Sequence, residues 1–113
     1  GKDYSNFNPV SGLAKKVDVP VIAVHSGSIT KTFFNLDNYH IPDNVYFEIS
    51  GIQYAIILKK IYKNFGAKRI IFGSDYPFGD PRISLAMVNS LDASKKENNL
   101  IVEENIKRIL KLK

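Results

Sequence analysis

Three short, mostly apolar runs recur along the sequence, and each leads to a polar residue 25 positions after the previous one. The runs are residues 21–24, 45–49 and 69–72, and they end at His25, Ser50 and Asp75. β-branched residues are frequent in them, as in strands that are covered on both faces. Segments with helical spacing separate the runs, so the sequence predicts an α/β fold with parallel strands and right-handed crossovers.

Predicted helices occupy the segments around these strands. Residues 11–17 form a short helix after Pro9, residues 28–36 a weakly amphipathic one, and three further helices have clear apolar faces. Those faces are Tyr54, Leu58, Ile61 and Phe65 in the third helix, Ile83, Met87 and Leu91 in the fourth, and Val102, Ile106, Ile109 and Leu110 in the last. Gly66 is placed to end the third helix, Asp80 to begin the fourth and Ser94 to begin the last.

The composition excludes several protein classes. With 113 residues, 44% of them hydrophobic and 24% charged, the chain is typical of one globular domain. The absence of cysteine excludes disulfide scaffolds, thiolate zinc sites and cysteine nucleophiles, and we expect a reducing, cytoplasmic location. Apolar runs reach only four or five residues, whereas a membrane span needs about 20, so we expect no membrane partner.

The net charge of +5 arises in the second part of the chain. Residues 51–113 hold 12 of the 16 basic residues but only 6 of the 11 acidic ones. Most are lysines spaced along predicted helices, without an arginine-rich arm or interleaved aromatic residues. We interpret them as solvated helix faces and expect no nucleic-acid partner.

Asp75 and His25 are the main candidates for chemistry because both follow strands. The carboxyl ends of parallel strands meet at one edge of a sheet, where α/β proteins place their sites. There Asp75 could bind a cation or take a proton from a metal-bound water, or it could only cap a turn. His25 could bind a metal, polarise a carbonyl or act as a base, or it could be a buried histidine that bonds a neighbouring backbone group.

Three further polar residues give weaker signals. Ser50 could contact a substrate or tighten a turn, and no nucleophile motif surrounds it. Glu48 could face a polar barrel interior or pair with a lysine, and we favour the lysine pair. His40 lies in a loop without a partner in register, so we expect no functional role for it.

Four segments resemble one known family, the amidohydrolase-related metal-dependent hydrolases. Residues 19–27 are similar to its strand with a Pro-Val-Ile…His-x-Gly pattern, and residues 44–51 resemble the next strand. Residues 69–78, which end in Gly-Ser-Asp-Tyr-Pro-Phe, resemble the final strand, and residues 104–110 resemble the closing helix. The order is that of the family, and the branch it resembles contains aminocarboxymuconate semialdehyde decarboxylase.

The resemblance implies a metal-dependent TIM (β/α)8 barrel, of which this chain would supply strands six to eight. In the family, the aspartate of the final strand binds the metal and helps to activate water, which carries over to Asp75. The histidine of strand six lies beside the metal as a ligand or acid–base catalyst, which carries over to His25. Asp75 and His25 are thus the expected metal and catalytic residues, Ser50 the candidate substrate contact, and a divalent metal, with zinc favoured, the cofactor.

Part of the family pattern is missing. The family has a His-x-His on strand one and a further ligand from the middle of the barrel, whereas this chain has two histidines, 15 residues apart. A TIM barrel also takes about 250 residues. Residues 1–113 are therefore expected to be a single C-terminal partial-barrel segment of a larger enzyme. The expected partners are a small-molecule substrate and either the missing N-terminal half or a second copy.

The predicted function is the C-terminal portion of a metal-dependent hydrolase or lyase. The alternative is a non-catalytic α/β module that binds an anionic ligand or docks an acidic partner through its basic second half. A His-x-His after a short apolar strand, encoded upstream, is expected only for the enzyme.

Overall fold

The computed structural model describes residues 7–26 and 40–112, and helices alternate with parallel strands along this part of the chain. The elements are α1 (Phe7–Ala14), β1 (Val21–Ala23), β2 (Val45–Glu48), α2 (Ala55–Phe65), a 3₁₀ turn (Ala67–Arg69), β3 (Ile70–Ile71), α3 (Pro81–Asn89), α4 (Lys95–Asn99), a π-helical turn (Leu100–Glu104) and α5 (Asn105–Leu110). The predicted α/β class is confirmed. The helix predicted at residues 28–36 falls outside the described residues. No helix in the described ranges is long and apolar enough to cross a bilayer.

The sheet has the order β1-β2-β3, and both strand pairs are parallel. Phe47 of the central strand lies in register with Ile70 of β3, and both side chains are fully buried. The Phe47 ring packs against Phe65 of α2 with 4.6 Å between the ring centroids. Because the three strands run in the same direction, their carboxyl ends share one edge of the sheet, and the predicted site residues follow these ends.

The first helix begins earlier, and the strands are shorter, than the sequence predicts. α1 starts at Phe7 and ends at Ala14. Pro9 is compatible with this start because it lies in the first turn, where the backbone N–H groups have no partner within the helix. β1 ends at Ala23, and Val24 is exposed in the turn that follows. These differences shorten the strands without changing their order.

The end of α2 is confirmed, and its buried face is partly confirmed. Gly66 has φ of 82° at the C-terminus of the helix, a conformation that suits glycine. Leu58 and Ile61 are buried as predicted. Tyr54 instead precedes the helix and is 64% exposed, and Ile57 joins the core.

The start of α3 is confirmed, and its predicted buried face is partly confirmed, because Met87 and Leu91 pack against the core. The Asp80 carboxylate accepts a hydrogen bond from the Arg82 backbone N–H at 2.9 Å, so it caps the helix as predicted. Ile83 is 56% exposed, and Ser84 and Val88 are buried in its place. Ile83 lines a surface concavity beside the loop that carries Asp75.

The π-helical turn changes which residues of the last helical segment face the sheet. The Asn105 N–H bonds the Leu100 carbonyl, five residues earlier, so this turn is wider than an α-helical one. Ile101 is buried, whereas Val102 and Leu110 are 40% and 58% exposed. The apolar stripe predicted with a strict α-helical period is therefore wrong at these two residues.

The same segment holds β3 in place. The side chain of Asn105 is fully buried, and its Nδ2 donates to the carbonyls of Ala67 at 2.7 Å and Ile70 at 2.8 Å. The Ile101 carbonyl accepts from the Phe72 N–H at 3.1 Å. These bonds fix the strand directly before the chain reaches the candidate site.

Candidate active site

A hydrogen-bonded cluster lies at the carboxyl ends of β1 and β2, with Glu48 at its centre. The Glu48 carboxylate accepts from the His25 backbone N–H at 3.0 Å, the Ser50 backbone N–H at 2.8 Å and the Ser50 hydroxyl at 2.8 Å. The prediction that Glu48 pairs with a lysine is therefore wrong. Since side chains alternate along β2, Phe47 and Ile49 enter the core while Glu48 lies on the other face of the strand.

The structure brings His25 and Ser50 together. Nδ1 of the His25 ring lies 2.9 Å from Ser50 Oγ and 3.1 Å from the Ser50 carbonyl oxygen. The hydroxyl of Ser26, which is fully buried, donates to the Glu48 carbonyl at 2.8 Å. Ser50 itself is 2% exposed, so its side chain contacts the protein and presents no open surface to a substrate.

His25 and Asp75 share an uncommon backbone conformation. Their φ angles are 55° and 57°, in the left-handed region that few non-glycine residues adopt. Such a conformation costs about 1–3 kcal/mol for a non-glycine residue. Ser26, Asp92 and Lys111 also have positive φ, so the conformation by itself does not mark the site. His25 and Asp75 each lie just beyond a strand, so the chain turns sharply at both points.

Two glycines leave the space that the cluster occupies. A Cβ atom at position 73 would overlap Oε1 of Glu48, so the carboxylate lies directly against the backbone that leads to Asp75. A Cβ atom at Gly51 would come within 3.1 Å of His25 Nδ1, and Gly51 also has φ of +78°. Both glycines are therefore required by the packing of the cluster.

Asp75 lies beside the cluster and not within it. It is exposed, and it lines a concavity of about 230 Å³ together with Gly51 and Gln53. The loop after Asp75 closes through a bond from the Gly79 N–H to the Asp75 carbonyl at 2.9 Å. Gly51 joins the two parts of the site, because it borders both this concavity and the His25 ring. Among the described residues nothing donates a hydrogen bond to the exposed Asp75 carboxylate.

His25 and Asp75 are donors of the types that bind a divalent metal. An imidazole nitrogen and a carboxylate suit zinc or manganese. Residues 7–26 and 40–112 contain no group of three or more histidine, aspartate or glutamate side chains that could hold a metal ion. A catalytic zinc takes about three protein ligands, so these two residues alone would not complete such a site.

Other polar residues near the strands support the sheet instead of the site. Nδ2 of Asn44 donates to three carbonyls of the connection between α1 and β1. Arg69 Nε donates to the Val45 carbonyl at 3.0 Å, and its guanidinium lies 4.8 Å from the centre of the Phe65 ring. Burial lowers the pKa of Arg69. His40, for which no role was expected, is exposed in a loop.

Comparison with known proteins identifies a family. Residues 3–112 match a family model described as amidohydrolase. Among curated protein sequences, none matches the chain significantly.

Solved structures of three decarboxylases superpose on most of the chain. The 2,6-dihydroxybenzoate decarboxylase from Rhizobium is 18% identical with a TM-score of 0.68, over 93% of this chain and 39% of its own. The 5-carboxyvanillate decarboxylase from Sphingomonas paucimobilis is 14% identical with a TM-score of 0.66, over 92% and 37%. A dihydroxybenzoic acid decarboxylase from Polaromonas sp. JS666, with bound manganese and the inhibitor 2-nitroresorcinol, is 20% identical with a TM-score of 0.66, over 89% and 36%.

The chain thus spans 36–39% of the length of these three proteins. At this level of identity the likeness shows the fold. The three parallel strands and their helices form part of a TIM barrel like those of the decarboxylases.

Proposed function

Because the chain belongs to the amidohydrolase family, we propose that it is the C-terminal portion of a metal-dependent lyase that decarboxylates a small hydroxylated aromatic acid. Residues 1–113 would form one segment of a longer, cytoplasmic (β/α)8 domain and supply its strands six to eight. The observation that carries the proposal is the position of the His25–Ser50–Glu48 cluster and of Asp75 at neighbouring carboxyl ends of parallel strands, where barrel enzymes place their chemistry.

Decarboxylation is favoured over hydrolysis by the structural neighbours. The three compared above are named as decarboxylases of dihydroxybenzoates or of 5-carboxyvanillate. Each of these compounds is a benzoic acid that carries at least one hydroxyl group on the ring. A substrate of this class has the oxygen atoms that a divalent metal binds well.

His25 and Asp75 would hold the metal together with ligands from the rest of the barrel. When bound, a divalent ion stabilises negative charge on substrate oxygens. Breaking the bond between the ring carbon and the carboxylate releases CO₂ and leaves the electron pair of that bond on the ring carbon, which then takes up a proton. Asp75 is the group proposed to move this proton, because its carboxylate is exposed and accepts no hydrogen bond from the described residues. Zinc and manganese both suit these donors, and metal analysis of the purified enzyme decides between them.

The test is decarboxylation of 2,6-dihydroxybenzoate by the complete enzyme, followed by substrate absorbance and release of CO₂. We expect activity to disappear with a chelator and to return with zinc or manganese. Asp75→Asn should lower kcat by at least about 100-fold, in line with the loss of a proton-transfer group. His40→Gln is the matched control, and its rate should equal that of the unmodified enzyme. Near-normal metal content and rate in Asp75→Asn would remove Asp75 from the site.

A second test concerns the partial barrel. The purified 113-residue chain should show no turnover, because the described residues provide only two of about three ligands. The reading frame upstream should encode a His-x-His after a short apolar strand. Steady turnover by the 113-residue chain, abolished by a chelator, would contradict the proposal.

The alternative of an anion-binding module has one supporting observation. Lys95, Lys96 and Arg108 line a concavity of about 630 Å³ on the last helical segment. Glu104 lines the same concavity and offsets part of its positive charge, and one Arg108 donor is already used by the Asn105 side-chain oxygen at 3.1 Å. Calorimetric titration with inorganic phosphate tests it, with a Lys95→Ala, Lys96→Ala double variant as the comparison.

A further inference from the structure

We propose that Glu48 and Ser50 are positioning residues that hold the His25 ring in the tautomer protonated on Nδ1, so that Nε2 carries the free lone pair. The use of that lone pair for a metal or a proton rests on the proposed function. The tautomer itself does not, and it can be measured without metal or substrate.

The first step is a count of protons around the Glu48 carboxylate. Three donors and no acceptor converge on its two oxygens: the backbone N–H groups of His25 and Ser50 and the Ser50 hydroxyl. This is the pattern of an ionised carboxylate, which only accepts hydrogen bonds. The Ser50 hydroxyl has one proton, and it is committed to Glu48 at 2.8 Å. Ser50 Oγ therefore presents only lone pairs to the His25 ring.

The second step concerns the other group that faces Nδ1. The carbonyl oxygen of Ser50 lies 3.1 Å from the same nitrogen, and a carbonyl has no proton to donate. Two acceptors thus meet Nδ1, at 2.9 Å and 3.1 Å, and the contacts are favourable only if Nδ1 is the donor. In a neutral ring the second nitrogen, Nε2, is then unprotonated.

The third step is the enclosure of this side of the ring. A Cβ atom at Gly51 would come within 3.1 Å of Nδ1, so the backbone of Gly51 closes the space beside it. Ser50 is 2% exposed, which leaves the contact to Nδ1 largely shielded from water. Solvent therefore competes poorly with the two serine oxygens, and the tautomer is fixed by the protein.

This arrangement prepares the ring for the proposed site. Histidines that bind metals commonly donate their other ring N–H to a carboxylate or carbonyl, which fixes the orientation of the ring. Here the ring donates to the Ser50 oxygens, and the Glu48 carboxylate orients the serine hydroxyl. Glu48 therefore acts on His25 through Ser50, in addition to holding its backbone N–H.

The experiment is ¹⁵N NMR of the histidine rings in the metal-free 113-residue chain, at about pH 8, where an ordinary imidazole is neutral. The chain has two histidines, so the His40→Gln variant leaves one signal set and assigns His25 directly. We expect a protonated Nδ1 and an unprotonated Nε2 at His25. His40, which is exposed, should show the averaged signals of two exchanging tautomers.

Two variants test the positioning residues. In Glu48→Gln the new amide can donate to Ser50 Oγ, which frees the serine proton to face Nδ1, so the His25 signals should shift toward the averaged values of His40. Ser50→Ala removes one of the two acceptors and should cause a smaller shift in the same direction. Glu97→Gln makes the same chemical change at a carboxylate that bonds Tyr62, and it should leave the His25 signals unchanged.

The outcomes are distinct for the two proposals. A protonated Nε2 at His25 in the unmodified chain overturns the inference even if no variant folds. Unchanged His25 signals in a folded Glu48→Gln variant overturn the role of Glu48. A correct tautomer in a complete enzyme that binds no metal would leave the inference standing and overturn the proposed function.

Discussion

Replacing Asn105 by alanine tests how the last helical segment holds β3. Asn105 is fully buried, and its Nδ2 donates at 2.7 Å and 2.8 Å to the carbonyls of Ala67 and Ile70. With alanine, the Ala67 carbonyl keeps its bond from the Ile70 backbone N–H, whereas the Ile70 carbonyl loses its side-chain donor, at a cost of about 1–3 kcal/mol. We therefore expect the free energy of unfolding to fall by about 1–3 kcal/mol, a sizeable part of the 5–15 kcal/mol that is typical of a domain.

Urea unfolding followed by far-UV circular dichroism measures this loss. With a slope of about 2 kcal/mol/M, the midpoint should fall by roughly 0.5–1.5 M. Asn105→Asp is nearly isosteric but replaces the donor by an oxygen, so it should be at least as destabilising. Asn89→Ala makes the same change at an exposed position of α3, where we expect an effect within about 0.5 kcal/mol. A midpoint for Asn105→Ala equal to that of Asn89→Ala would refute the reasoning.

Three further predictions follow from the site and the sheet. Gly73→Ala should displace the Glu48 carboxylate, because the new Cβ overlaps Oε1. The variant should have lower stability in urea, and the complete enzyme that carries it should have lower activity. An unchanged Glu48 environment in a structure of the variant would contradict this. The hydrogen bond to Glu97 raises the pKa of Tyr62, with burial and the Glu97 charge adding to it. The folded state therefore retains this proton more tightly, so stability present below about pH 10 should fall as the pH rises further, and Tyr62→Phe should flatten the pH dependence of the urea midpoint. In the described chain β1 is an edge strand, whereas the outer side of β3 is bonded by Asn105 and Ile101, so the isolated chain should self-associate through β1 in sedimentation velocity. A stable monomer over a wide concentration range would count against the partial-barrel proposal.

The sequence predicts the positions of the three strands along the chain well because its signal is local. Each apolar run is short, β-branched and followed by a polar residue, and these features survive in β1, β2 and β3 despite shorter boundaries. Gly66 and Asp80 also act at the helix ends where they were expected, since capping depends on near neighbours in the chain.

The centre of the candidate site could not be read from the sequence, because it depends on contacts between strands. The bonds from His25 to Glu48 and to Ser50 span 23 and 25 residues, and they exist only once β1 and β2 are paired. From the sequence alone, a lysine partner for Glu48 is as reasonable as a contact with His25. One signal could have found it: Glu48 and Ser50 have the same parity in the strand, so both lie on the side of β2 opposite Phe47.

The buried face of the last helical segment was missed for a different reason. The predicted stripe assumed a constant 3.6 residues per turn, whereas one wide turn intervenes between Leu100 and Asn105. The polar Asn105 also faces inward, and hydropathy alone assigns such a residue to the surface. Its burial is explained by the Ile70 carbonyl at β3, which accepts from Asn105 Nδ2, and by a second bond to the Ala67 carbonyl in the preceding turn.

The π-helical turn fixes the number of residues that this segment must contain. It behaves as a one-residue insertion in an otherwise regular helix, and it is the reason that the Ile101 carbonyl can meet the Phe72 N–H while Asn105 faces β3. Deleting one residue between positions 100 and 104 would restore an α-helical turn and rotate everything after it by about 100°. Asn105 would then leave the sheet, and the strand that leads to Asp75 would lose its attachment. Single-residue deletions should therefore be tolerated far less here than in exposed loops, although no residue of this segment touches the candidate site.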